Sequence, residues 1–321
     1  MGRIDLDTFR RKAPEIMEKC FDGDGRVESV EPIATGHFNT SFRVRAGGRD
    51  TVVRVAPPQD DTLLYYEQGM MKVEAFIHPL VLEQTDVPLP EVLIFDDSRE
   101  IIDADTIVMQ AIPGRTMGEV WHTLSPQQQS DTVRTLGRYT RQLHDIQGDR
   151  FGYVWPNEVM EGDTDWPAAF ADMTDRILAD NVRAGSYNAR EAEELRGAMD
   201  RNMESVDRPE KPSLLHMDLW HQNILLDESG RITAILDIDR AVWAPPEFEF
   251  AVLDTYALST DEFFDGYGAA RDLSDAALVR RAMYIIVEII KYPFIRAARN
   301  HNPGAAAHYK HQINSLVHQF L

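Results

Sequence analysis

The sequence predicts an α+β chain of two lobes, a small β-rich lobe followed by a larger, mainly helical one. Three observations carry this. Segments rich in Val, Ile, Thr and Phe crowd into the first third of the chain. Ile112-Pro113-Gly114 then breaks both composition and backbone. Beyond it apolar residues recur at helical spacing, apart from one strand-like island near the middle of that half. The expected lobes are therefore 1–111 and 112–321, within the size range of two compact units.

In the first lobe, residues 28–33, 39–46 and 50–56 read as strands, the last two joined through Ala46-Gly47-Gly48-Arg49 as a short hairpin. A helix follows from about Tyr65 to Ile77, with Met70, Val73, Phe76 and Ile77 on one face, and Pro79 is expected to end or kink it. Residues 92–95 and 106–111 are two further strands. In the second lobe Ser125, Pro126 and Gln128 form a capping box with proline at the first helical position. Val133, Leu136, Tyr139 and Leu143 continue that helix, and amphipathic stretches cover 166–206 and 273–298. The island, 223–226 and 232–238, is a hairpin split by Asp227-Glu228-Ser229-Gly230.

Composition narrows the function. With 43% hydrophobic and 27% charged residues the chain can bury a sizeable core. Charges among the first twelve residues argue against a secretion signal, and the apolar run at 284–290 is too short to span a bilayer and contains Glu288. Cys20 is the single cysteine, which excludes an intrachain disulfide and fits a reducing compartment. A soluble, cytoplasmic protein is expected. A net charge of −20 argues against a nucleic-acid partner and would favour cationic ligands near an acidic cleft, or serve solubility alone.

The densest polar cluster flanks the island hairpin: His216-Met217-Asp218-Leu219-Trp220-His221-Gln222-Asn223. Asp237 follows fourteen residues after Asn223, at the end of the second strand. Such a pattern suits phosphoryl transfer. Asp218 in a loop can accept the proton of an incoming hydroxyl, while Asn223 and Asp237, brought together by the hairpin, can offer oxygens to one hard cation. Two other readings of these residues stand beside it. Asp218, His216 and Asn223 could cap turns and satisfy backbone groups. Alternatively, His216, Asp218 and His221 could hold a metal for a hydrolase, although no further His or Cys cluster completes that site.

The loop 216–225, with Leu236-Asp237-Ile238 and the segment Ala244-Pro245-Pro246-Glu247-Phe248-Glu249-Phe250-Ala251, resembles the aminoglycoside phosphotransferase and choline kinase group. That group is the small-molecule branch of the protein-kinase-like fold. Its pattern is His-Gly-Asp-x₄-Asn-Ile-Leu, then Ile-Asp-Trp/Phe, then Gly-Asp-Pro-x-x-Asp-Leu-Ala; here Met217 replaces the glycine and Glu249 the usual aspartate. The resemblance extends through the first lobe. It implies a nucleotide loop over 33–42, including Gly36 and Asn39. It places Arg54 where a lysine usually meets the nucleotide phosphates, and Glu74 as the acid paired with it. It also implies that backbone groups of Gln110 and Ile112 hold the purine ring, and it makes His144 structural.

The resemblance further implies Mg²⁺ held by Asn223 and Asp237, ATP or GTP as phosphoryl donor, Asp218 as catalytic base, and His216 as the residue that orients the catalytic loop. The acceptor would be the hydroxyl of a small molecule, an antibiotic such as an aminoglycoside or a metabolite. Its pocket would draw on acids among Glu247, Glu249, Asp254, Asp261, Glu262, Asp265 and Glu288. Arg54 in place of lysine keeps open a silent nucleotide-binding module of the same fold.

Overall fold

A computed structural model describes residues 4–23, 25–34, 38–154 and 162–321; Gly36 lies outside them. The chain opens with a helix absent from the sequence-based reading, α1, Leu6–Phe21. Asp5 caps it by accepting from the Thr8 backbone N–H at 2.8 Å. Phe9, Ala13, Ile16 and Met17 recur at helical spacing and are buried against the first sheet. Phe9 stacks on Phe42 with ring centroids 3.8 Å apart.

That sheet contains β1, Val27–Ile33, β2, Thr40–Ala46, and β3, Arg49–Val55. After α2, Met70–Gln84, come β4, Val92–Asp96, and β5, Thr106–Gln110. All neighbours are antiparallel, in the order β1-β2-β3-β5-β4. On β3, Val53 and Val55 enter the core beneath α1, so strand alternation turns Arg54 to the opposite face, the one that lines the cleft.

Pro79 does not end the helix, one of the two expected outcomes. The helix begins at Met70 and runs through Pro79 to Gln84, while Tyr65–Glu67 forms a separate 3₁₀ turn. A mid-helix proline removes one hydrogen bond and costs about 3 kcal/mol. Burial of Val73, Ile77 and Val81, which pack with Val87 and Leu89, outweighs it.

Past the break, the island is not a lone hairpin. Ile224–Leu226 pairs with Ile232–Ile235 as expected, but Arg115–Thr116 adds a third strand on the other side. Gly114 permits this close approach: its φ is +154°, and a Cβ there would lie 2.7 Å from Thr233 Oγ1. A second small sheet, Gly152–Tyr153, Val242–Ala244 and Ser213–Leu215, was also not anticipated; its strands are too short to leave a periodic signal.

Around these strands pack Pro126–Asp145, with both halves of the Ser125/Gln128 capping box formed, and Trp166–Arg183, Ala189–Arg201, Asp275–Ile289 and Pro303–Phe320. Their core centres on Trp166, Phe170, Phe248 and Tyr284, where Trp166 Nε1 donates to the Tyr284 hydroxyl at 3.0 Å. Among the described residues no helix is long and apolar enough to cross a membrane.

Candidate active site

A cavity of about 1360 Å³ lies between the sheet and the helical lobe and brings together Arg54, Glu74, Asp218, Asn223 and Asp237. Asn39, Gln110 and Ile112 line it as well. Its size exceeds that of a pocket for one drug-sized ligand and leaves room for a donor and an acceptor together.

The loop carrying Asp218 follows the strand Ser213–Leu215 and is held from beneath. His216 is fully buried and does not face the cavity. Its Nδ1 accepts from the Asp218 backbone N–H at 3.2 Å, so Nε2 carries the proton and donates to the Leu236 carbonyl at 2.9 Å. Burial pushes the imidazole pKa below its usual value, against the pull of Glu249 and Asp218, which suits a neutral ring that ties the loop to the strand leading to Asp237. Met217 takes a left-handed conformation, φ 60°, with its side chain in the core. Glu249, fully buried, accepts from the His216 N–H at 2.5 Å and the Met217 N–H at 2.9 Å.

Asp218 is gripped on both oxygens. Asn223 Nδ2 donates to Asp218 Oδ2 at 2.8 Å and to the Asp218 carbonyl at 2.9 Å, and Arg240 Nη1 meets Oδ1 at 2.9 Å. Because both Asn223 contacts use the amide nitrogen, its Oδ1 is left as an acceptor. Arg240 is held charged: burial opposes its charge, but Asp218, Tyr66 and Asp239 outweigh that.

Arg54 sits among three acids. Its Nη1 reaches Glu74 Oε1 and Oε2 at 2.6 and 2.7 Å and Asp237 Oδ1 at 2.7 Å, while Nη2 reaches Asp239 at 3.3 Å. Burial would raise the Glu74 pKa, but Arg54 and His78 hold it low. Burial pushes Asp239 well up despite Arg54, and like charge on Glu74 and Asp237 adds to this. Burial raises Asp237 too, against Arg54 and with like charge on Glu74 and Asp218, yet its side chain is 41% exposed to the cleft. Its backbone is left-handed, φ 61°, turning the chain directly after the strand.

Asn223 Oδ1 with the Asp237 carboxylate forms an all-oxygen donor pair facing the cavity. Two protein ligands completed by phosphate oxygens and water is the manner in which Mg²⁺ is usually held, so these residues fit it. Among the described residues no group of three His, Cys, Asp or Glu is placed to hold a metal. His216 spends both ring nitrogens on the backbone, and His221 stands edge-on to Trp121. The hydrolase reading loses its ligands.

The acids expected around the acceptor are elsewhere. Glu249 braces the catalytic loop, Glu247 pairs with Arg280, and Asp254 pairs with Arg271. Glu288 is buried against Lys291. Asp261, Glu262 and Asp265, on Asp261–Tyr267, do not line the cavity. Apart from Glu249, which is held by backbone N–H groups, each has a local cation or lies outside the cavity, and their spacing in sequence does not reveal it. His144 is structural in geometry, its Nδ1 2.9 Å from the Tyr267 hydroxyl. Sequence reasoning missed Arg240 and Asp239, although both lie within three residues of Asp237.

The comparisons agree with this geometry. The sequence model of the phosphotransferase enzyme family (APH) matches residues 29–284, so the chain belongs to that family. A probable ketoamine kinase of Staphylococcus aureus is 23% identical over 282 residues, 83% of this chain and 88% of the relative. One from Klebsiella aerogenes is also 23% identical, over 86% of this chain and 89% of its own. In structure, a putative fructosamine-3-kinase from Haemophilus somnus superposes with a TM-score of 0.70 at 16% identity, covering 96% of both chains. A thermostable mutant of the aminoglycoside phosphotransferase APH(4)-Ia, in ternary complex with ADP and hygromycin B, gives 0.68 at 18% identity over 96% of this chain and 98% of that one. The fold is kinase-like, as expected from the sequence, and the expected class of small-molecule kinase is met at this level.

Proposed function

We propose that the protein is a Mg²⁺-dependent kinase that moves the terminal phosphoryl group of ATP or GTP to a hydroxyl of a small molecule, with a ketoamine as the first acceptor to test. The observation that carries this is the clamp on Asp218, whose carboxylate is aimed by Asn223 and Arg240 within the same cavity as Arg54 and Asp237. The ketoamine assignment rests on what the full-length relatives are called. The lobe boundary is placed at 111/112, between the end of β5 and Arg115–Thr116.

In the reaction, the acceptor oxygen bonds to the terminal phosphorus, the bond from that phosphorus to the bridging oxygen breaks, and the nucleoside diphosphate leaves. Asp218 orients the hydroxyl and takes its proton. Arg240, on the other carboxylate oxygen, keeps that side chain from rotating. Arg54, oriented by Glu74, presents positive charge to the phosphates. Backbone groups of Gln110 and Ile112 border the site for the base, with Asn39 above it. Asn223 and Asp237 would hold Mg²⁺, which neutralises phosphate charge when bound. His216 acts on Asp218 through the backbone and is a positioning residue.

The test is coupled nucleotide turnover with ATP and GTP over a panel of ketoamines, aminoglycosides, amino alcohols and sugars. Asp218→Asn should lower acceptor-dependent turnover by roughly 10²–10⁴ while nucleotide affinity is retained. Undiminished turnover in that variant removes Asp218 as base. Nucleotide binding with no transfer to any acceptor favours the silent module.

A further inference from the structure

Beyond Asp218 the cavity is walled by Trp220, Tyr256, Tyr292 and Tyr309. These rings are connected. Trp220 stacks on Tyr256 at 5.5 Å and 30°, the Tyr256 and Tyr292 hydroxyls are 3.1 Å apart, and Tyr292 stacks on Tyr309 at 4.7 Å and 24°. At the far end the Arg296 guanidinium lies 5.9 Å from the Tyr309 ring centre. An aromatic surface thus runs from the catalytic carboxylate to a cation.

The charge of this half is opposite to that of the whole chain. From Thr255 onward, no acidic residue lines the cavity among the described residues, whereas Arg296 and Arg299 do. Arg299 is engaged, by the Thr62 carbonyl at 2.6 Å and by Glu67. With the Asn300 amide turned so that its oxygen faces the guanidinium, Arg296 donates through Nη1 to that oxygen at 2.8 Å, and it has no carboxylate partner among the described residues. Arg271, Arg280 and Arg281, earlier in the same lobe, each sit on a carboxylate. A half-buried guanidinium without a counter-ion is costly, and its fork of donors matches a carboxylate.

The backbone supports the placement. Ile295–Arg299 is a π-helical turn, closed by Asn300 N–H to the Ile295 carbonyl at 3.1 Å. Such turns are rare and are found frequently at functional sites.

We propose that the acceptor is an acid: a hydroxyl compound with a sugar or aromatic ring whose face stacks on the tyrosine wall and a carboxylate that docks on Arg296. This deepens the phosphotransferase reading and rests on it. For a ketoamine it means one formed on an amino acid whose carboxylate is free. A polycationic antibiotic would meet Arg296 and find no acid on that wall.

The probes are fructosylglycine, its uncharged amide fructosylglycinamide, and hygromycin B. Wild-type protein should favour the acid over the amide by roughly 10- to 100-fold in kcat/KM, the range of one charge-assisted hydrogen-bonded pair. Arg296→Gln should erase that preference, mainly through KM, while Arg296→Lys restores part of it. Equal use of acid and amide by the wild type, a preference that survives Arg296→Gln, or a preference for hygromycin B overturns the proposal. Where neither ketoamine is phosphorylated, binding to the Mg²⁺–AMP-PNP complex, read by Trp220 fluorescence, decides: the acid must bind more tightly than the amide. Failure of the phosphotransferase reading itself is separate, seen as no binding of Mg²⁺–AMP-PNP or as nucleotide binding with no transfer to any acceptor of the wider panel.

Discussion

Replacing Glu249 with glutamine tests whether the catalytic loop is held from below. The two carboxylate oxygens each take one backbone N–H, from His216 at 2.5 Å and Met217 at 2.9 Å. A glutamine side chain of the same shape keeps one acceptor and turns an NH₂ toward the other donor. One of two charge-assisted bonds is lost, and a buried N–H is left facing another donor. A bond to a charged group is worth about 1.5–3 kcal/mol, so Glu249→Gln should destabilise the fold by about that much. It should also lower kcat by roughly tenfold or more, because Asp218 follows directly on these two residues and small misplacements of a reacting group are expensive. Nucleotide KM should hardly move, since Arg54 and Glu74 belong to the other lobe. Urea unfolding and steady-state kinetics read the two effects. A variant with unchanged midpoint and unchanged kcat would falsify the bracing role.

Two further outcomes follow from the same loop. At Met217 the usual order of alanine and glycine should invert. Met217→Ala keeps the strain of a non-glycine residue at φ 60°, while Met217→Gly relieves about 1–2 kcal/mol of it, so the glycine variant should unfold at higher urea than the alanine one, both below wild type through loss of the buried side chain. Alanine at or above glycine contradicts the strain. His216 has a folded-state pKa below its ordinary 6.5, so near that pH the unfolded chain binds more protons. Stability from His216 is therefore full above the unfolded value and lost as pH falls through about 6.5 toward the folded value. Urea midpoints at pH 8 and pH 5.5 should differ less in His216→Asn than in wild type, and equal differences would refute this.

How much of this was legible in the sequence depended on how local each contact is. Asp218, Asn223 and Asp237 stand in a linear pattern whose spacing is set by one hairpin, and so they could be read. Arg54 and Glu74 could be placed through the resemblance, because strand and helix fix one face each. Arg240 lies three residues past Asp237, but its value is its reach to Asp218, which only the tertiary fold supplies. Glu249 was read as a pocket acid because a list of acids does not say which of them point inward. Pro79 misled because propensity was weighed without the burial on Val73, Ile77 and Val81. The aromatic wall, assembled from Trp220, Tyr256 in a turn, and the helical Tyr292 and Tyr309, has no periodic signature, and net charge pointed away from it.

The position of Arg54 has a consequence for how the chain folds. Its bond to Glu74 spans 20 residues and can form within the first lobe, whereas its contact with Asp239 spans 185. The longer closure carries more chain entropy and must await the second lobe. Asp239 is 6% exposed, with Glu74 and Asp237 as like charges near it and Arg54 and Arg240 as the opposing cations. The Ile238–Arg240 turn that carries Asp239 packs against α2 of the first lobe, so a helical lobe expressed alone would lose both that cover and the guanidinium. The two lobes thus share a counter-ion: one guanidinium of the first reaches two carboxylates of the second.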